Sequence, residues 1–142
     1  MDASAHGWFN YAVSYLKSAQ ELRKLDLHLA HKTAPVEFLY YHAIELLLKS
    51  YLINNGATKE QVKALGHRII KIGKACEAKG LTLSDADRAT LEFIEHQDNL
   101  FKARYIELGM FQVASFADLD RTAVYLATTL QGALYPSRDR TA

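Results

Sequence analysis

The sequence predicts an all-α fold, an antiparallel bundle of four to five helices. Three observations carry this. Apolar residues recur at spacings of three and four along five separate segments, the pattern of helices buried on one face. Only two Pro and seven Gly occur among 142 residues, and the Gly stand at junctions rather than in the turn-and-strand rhythm of a sheet protein. The connections between periodic segments are short, which favours antiparallel neighbours.

The first helix is expected from about His6 to Ala30, because Trp8, Ala12, Tyr15, Ala19 and Leu22 share a stripe that Phe9 and Leu16 widen. Thr33-Ala34-Pro35 breaks it and starts a second, with Pro favoured in a first turn. That second helix, Pro35 to Asn55, is apolar nearly all round, from Val36 and Phe38 to Leu52 and Ile53. Such coverage places a helix at the centre of a bundle, and Asn54-Asn55-Gly56 stops it. Thr58 and Gln61 form a capping box that opens a third helix, whose face is Val62, Leu65, Ile69, Ile72 and Cys76. Gly66 can divide it into a short turn and a helix starting near His67, and Gly80 ends it. Ser84 and Asp87 cap a fourth helix with Leu91, Ile94, Phe101 and Tyr105 on its face. From Ile106 to Ala114 periodicity lapses around Gly109, which reads as a loop. Ser115 and Asp118 cap a last helix carrying Leu119, Ala123, Leu126, Leu130 and Leu134, and Pro136 stops it. The expected organisation is one domain over residues 1–136 and a polar tail over 137–142.

Composition narrows the function classes. Apolar types reach 49% and charged types 23%, the balance of a globular chain rather than a disordered one. Lys and Arg number 17 against 16 Asp and Glu, which excludes a polybasic protein held to nucleic acid by bulk charge. A lone Cys76 excludes an intrachain disulfide and a cysteine zinc knuckle. With no basic-then-apolar leader and no apolar run near 20 residues, the expectation is a cytoplasmic protein without a membrane partner.

Within the apolar second helix, His42-Ala-Ile-Glu45-Leu-Leu-Leu-Lys49 sets Glu45 and Lys49 four apart on one face, with His42 a turn earlier. Buried polar groups need partners. The phrase therefore reads either as a structural ion pair beside a hydrogen-bonded His, or as a polar site at a groove or dimer face. A metal site built from His42, Glu45, His67 and His96 requires all four to face one pocket; carboxylate-bridged bundles use Glu-x-x-His twice, and here the order is reversed and single. No metal and no cofactor are assigned.

The third segment holds six Lys or Arg from Lys59 to Lys79 against two Glu, and Lys63, His67, Lys71 and Lys74 follow one stripe. The fourth is acidic: Asp85, Asp87, Glu92, Glu95 and Asp98 face a single Arg88. The two helices either pair and solvate each other, or the basic one forms a ridge for phosphates. Gly-rich phosphate loops, nucleophile elbows and Cys/His dyads are missing. Arg104-Tyr105, before the irregular loop, is the best-placed pair for an anion, or else Arg104 pairs with Asp98 or Glu107 at a helix end.

The string Pro35-Val-Glu-Phe-Leu-Tyr-Tyr-His-Ala-Ile-Glu-Leu-Leu-Leu-Lys-Ser-Tyr-Leu, then Gly56 and Leu65-Gly66-His67, resembles the HEPN superfamily. These are small helical domains of prokaryotic nucleotidyltransferase, toxin–antitoxin and phage-defence systems. The likeness extends over most of Trp8 to Leu134. It implies a homodimer and, in active members, a metal-independent ribonuclease with Arg, four to six residues, then His. There Arg stabilises phosphate charge and His moves a proton. Arg104 takes that place here, with Tyr105 beside it, and no His follows. Arg88 and His96 are separated by seven residues; Arg23 and His28 have the spacing but lie in the expected first helix.

The resulting expectation is a HEPN-like module that binds RNA or a nucleotidyltransferase-type protein partner rather than cutting. Its contact residues are His42, Glu45, Lys49, His67, Lys71, Lys74, Arg104 and Tyr105. The alternatives are a divergent dimeric ribonuclease and a metal-binding bundle.

Overall fold

Side-chain caps set where most of the helices begin. The computed structural model describes residues 4–26, 28, 30, 33–102 and 115–136, the side chains of 98–102 excepted. Among these residues there are six helices and no strand. α1 (Ala5–Leu22) starts where Ser4 Oγ accepts from Gly7 N at 3.0 Å. It stops well before Ala30, because the apolar stripe ends at Leu22 and the next apolar residue, Leu25, is 58% exposed. Tight turns from Lys24 N to Glu21 O and Leu25 N to Leu22 O close it.

α2 (Thr33–Asn54) carries Pro35 in its first turn. Its apolar coverage does place it centrally: Tyr40, Ala43, Ile44, Leu47 and Leu48 are wholly buried. Gly56, at φ 93°, turns the chain so that Ala57 N bonds Leu52 O.

The third segment is two helices, α3 (Lys59–Leu65) and α4 (Ile69–Ala78). Thr58 and Gln61 make the full capping box, with bonds of 2.9 and 3.1 Å. Gly66 then takes φ 61° and ψ −132°, a conformation open to Gly alone, and separates the two. The break falls where Gly66 suggested, but α4 starts at Ile69, leaving His67 in the turn. α5 (Asp85–Lys102) opens on a reciprocal cap between Ser84 and Asp87, and α6 (Phe116–Leu134) opens on Ser115. Five expected helices thus become six. The expected loop from Ile106 to Ala114 and the tail over 137–142 lie outside the described residues.

Buried side chains from every helix form one cluster. α1 lies antiparallel to α2: Ser50 Oγ, late in α2, donates to Ala5 O, and Arg23, after α1, donates to Tyr40 early in α2. α4 and α6 run in the direction of α2. Glu45 meets His67 and Cys76 Sγ meets Leu48 O on one side, while Tyr40 meets Asp120 on the other. α5 returns along α4, with Arg88 on Glu77 and Glu95 on Ile70 N. Gly73 of α4 makes this approach close, since a Cβ there would stand 2.7 Å from Leu91 Cδ1. The arrangement leaves one stretch of the central helix partly uncovered, near its start.

Candidate functional site

That uncovered stretch is lined by Ala34, Glu37, Phe38, Tyr41, His42 and Glu45. Their spacing of three, one, three, one and three puts them on one face of α2. The turn before α4 brings His67 and Ile69 opposite, and α5 adds Ile94 and Glu95. Together they enclose a cavity of about 500 Å³ that opens to solvent, the size of a small-ligand or side-chain pocket.

Glu45 forms its inner wall. Its side chain is only 11% exposed, and Lys49 Nζ reaches it at 3.2 Å from one turn on, itself 8% exposed. From the other side His67 Nδ1 lies 2.9 and 3.1 Å from the two carboxylate oxygens. A carboxylate only accepts, so Nδ1 carries the proton. The ring is otherwise open to water, its side chain 73% exposed. Lys49 also stands 5.7 Å above the Trp8 ring of α1, so the line Trp8, Lys49, Glu45, His67 runs along one face of α2 into the pocket.

His42 is held by rings. Tyr15 meets it edge-on at 4.5 Å and Phe38 stacks on it at 5.8 Å with planes 8° apart. Burial pushes its pKa below the usual histidine value, against the pull of Glu45 and helped by His67 and Lys49. The ring is therefore neutral near pH 7. Phe38 itself is 62% exposed at the pocket mouth.

Glu37 is the least satisfied group. Its Oε1 is shut off from solvent and has no hydrogen-bond partner, while Oε2 accepts a long 3.5 Å bond from Tyr41 Oη. Burial raises its pKa, opposed by the Tyr41 and Thr33 hydroxyls. The Tyr41 phenol is in turn driven far up, by burial first and by Glu37 second. On the α5 side, Glu95 Oε1 accepts from Ile70 N at 3.4 Å.

Of the residues expected from sequence, His42, Glu45 and His67 come together here, with Lys49 behind Glu45. Lys71 and Lys74 do not: both are exposed on α4 outside the pocket. The single basic stripe is not formed, because Gly66 separates Lys63 on α3 from Lys71 and Lys74 on α4 and turns His67 onto Glu45. Pairing between the third and fourth segments is real but reversed in sign. The acid, Glu77, comes from the basic helix and the base, Arg88, from the acidic one, at 2.7 Å.

His96 is exposed and outside the pocket, so the four metal candidates are not assembled. Among the described residues no group of three or more His, Cys, Asp or Glu is arranged to hold a metal ion. Arg104 and Tyr105 lie outside the described residues. Among the described residues no helix is long and apolar enough to cross a membrane.

Sequence reasoning missed Glu37, Phe38, Tyr41 and Glu95. The signal existed in the four-residue steps Glu37, Tyr41, Glu45, Lys49, but a helix apolar all round hides which of its faces stays open. Comparison with known protein families, curated proteins and solved structures returns no match to this chain.

Proposed function

We propose that the chain is a HEPN-like helical domain that acts by binding rather than cutting, and that a protein partner docks at the pocket. The observation that carries this is the lining of that pocket: an exposed Phe38 at the mouth and three carboxylates, Glu37, Glu45 and Glu95, around it. Aromatic anchors rimmed by polar groups suit a protein interface. A carboxylate-lined wall repels a polyphosphate chain. The lysines that would attract RNA, Lys71 and Lys74, stand outside the pocket.

The resemblance to HEPN domains names the class of partner, a nucleotidyltransferase-type protein of a prokaryotic toxin–antitoxin or phage-defence system. It also names a homodimer as the working unit, for which Tyr11, Val124 and Tyr135 supply exposed apolar surface outside the pocket lining.

The test is co-expression with the product of the adjacent gene, followed by size-exclusion chromatography. Co-elution with wild type and its loss in Phe38→Glu are the expected result. Retention of total RNA whose salt slope flattens in Lys71→Ala with Lys74→Ala makes RNA the ligand instead. Cleavage of RNA in chelator, abolished by Arg104→Ala, replaces the binding reading with a ribonuclease.

A further inference from the structure

The three carboxylates of the pocket are not in equal condition. Glu45 already has Lys49 and His67 against its two oxygens. Glu37 has one oxygen with no partner, and the bond found for Glu95 among the described residues is a single 3.4 Å contact from a backbone amide. These two face the cavity from different helices, α2 and α5. His42, neutral for the reason given above, does not offset them. Among the described residues neither Glu37 nor Glu95 has a cation partner, so the cavity has an acidic group without a counter-ion on each side and apolar material between, contributed by Ile69, Ile94 and the rings of Phe38 and Tyr41.

We infer that this pocket receives a guanidinium group, the side chain of an arginine with which the partner anchors itself. A cation beside the site would offset the burial of Glu37, whose Oε1 has no partner and whose other contacts are the neutral Tyr41 and Thr33 hydroxyls. Between the two cations that proteins present, the walls select one. Guanidinium is planar, weakly hydrated and stacks on aromatic faces, so it enters between Phe38 and the carboxylates at small desolvation cost. An ammonium is more strongly hydrated and has no flat face to stack on the rings. The fork of N–H donors reaches two acceptors at once, and the methylene stem lies on the isoleucines. A volume of about 500 Å³ holds the side chain together with part of its neighbour.

This inference rests on the pocket being the recognition site, and its test separates the two. The full chain is titrated with Nα-acetyl-arginine methylamide, with the lysine counterpart and with adenosine monophosphate, and amide chemical shifts are followed by NMR. The arginine compound is expected to shift Glu37, Phe38, Tyr41 and Glu95 together. The lysine compound binds at least about fivefold more weakly and the nucleotide leaves those amides unmoved. Glu37→Gln and Glu95→Gln each weaken the arginine compound about tenfold, the loss of one charge-assisted contact. Lys74→Ala leaves it unchanged.

Equal binding of the arginine and lysine compounds, or a Glu37→Gln variant that binds as wild type does, overturns the guanidinium site. So does an absence of shifts. Co-elution of the adjacent gene's product without shifts from the arginine compound overturns the anchor and leaves the partner reading intact. Shifts without co-elution uphold the anchor and overturn the partner.

Discussion

Glu45 and Glu37 sit two turns apart on one helix face and behave in opposite ways. Glu45 is enclosed with Lys49, so removing its charge leaves an ammonium buried without its counter-ion. Glu45→Gln is expected to cost about 3–5 kcal/mol, read from urea unfolding, whereas Glu45→Gln with Lys49→Met recovers most of that loss. Glu37 is enclosed without a cation, and its folded-state pKa is raised. The native state therefore binds this proton more tightly than the unfolded chain does. Stability from this residue is fully present below the ordinary value of 4.5 and is lost as pH rises through the folded value. Tyr41, Thr33, His42, Glu45, His67 and Glu95 all face or adjoin it, and none of them is a cation bonded to it. Glu37→Gln is thus expected to unfold at a higher urea concentration than wild type near neutral pH. The two midpoints converge below about pH 4.5. A lower midpoint for the variant at neutral pH contradicts the assignment.

At the scale of elements, the turn between α3 and α4 decides the site. Gly66 has open space where a Cβ would go, so a substitution there meets backbone strain alone. Gly66→Ala is expected to cost about 1–3 kcal/mol in urea unfolding. It also displaces His67 from Glu45, seen as a shift of the imidazole resonances. Gly73 tests packing instead of conformation: Gly73→Val forces methyls against Leu91 and costs about 1–3 kcal/mol by the same measurement. Much at this scale was legible. Ser84 with Asp87, Thr58 with Gln61 and Ser115 with Asp118 mark their helix starts, because caps are local chemistry. The end of α1 was harder to read: its apolar stripe ends at Leu22, but Arg23 to Ala30 contains no Pro or Gly to mark the stop. The lysine stripe failed for a related reason: a helical wheel assumes one continuous axis, and Gly66 supplies two.

Across the whole molecule, the central place of α2 was readable from its coverage, yet the pocket on it was not. Periodicity says how much of a helix is apolar; which arc neighbours cover depends on where α4, α5 and α6 dock, and those contacts are long-range. One such contact is Tyr40, wholly buried, whose hydroxyl joins three helices by accepting from Arg23 at 3.0 Å and donating to Asp120 at 2.9 Å. Gln20 adds a second hydrogen bond to the same carboxylate oxygen, at 3.0 Å. Tyr40→Phe keeps the ring and deletes the junction, with an expected loss of about 1–2 kcal/mol and an unchanged urea m-value. Trp8, the single tryptophan, lies on α1 away from this junction, with Lys49 Nζ 5.7 Å from its ring and its own Nε1 enclosed without a partner. Indole emission responds to the field of a nearby charge, and that charge is tethered through Glu45 to His67. The protein accordingly carries its own optical gauge: an event that moves His67 or Glu45 is expected to change the colour of its ultraviolet emission from further along the same face of the central helix, with no label attached.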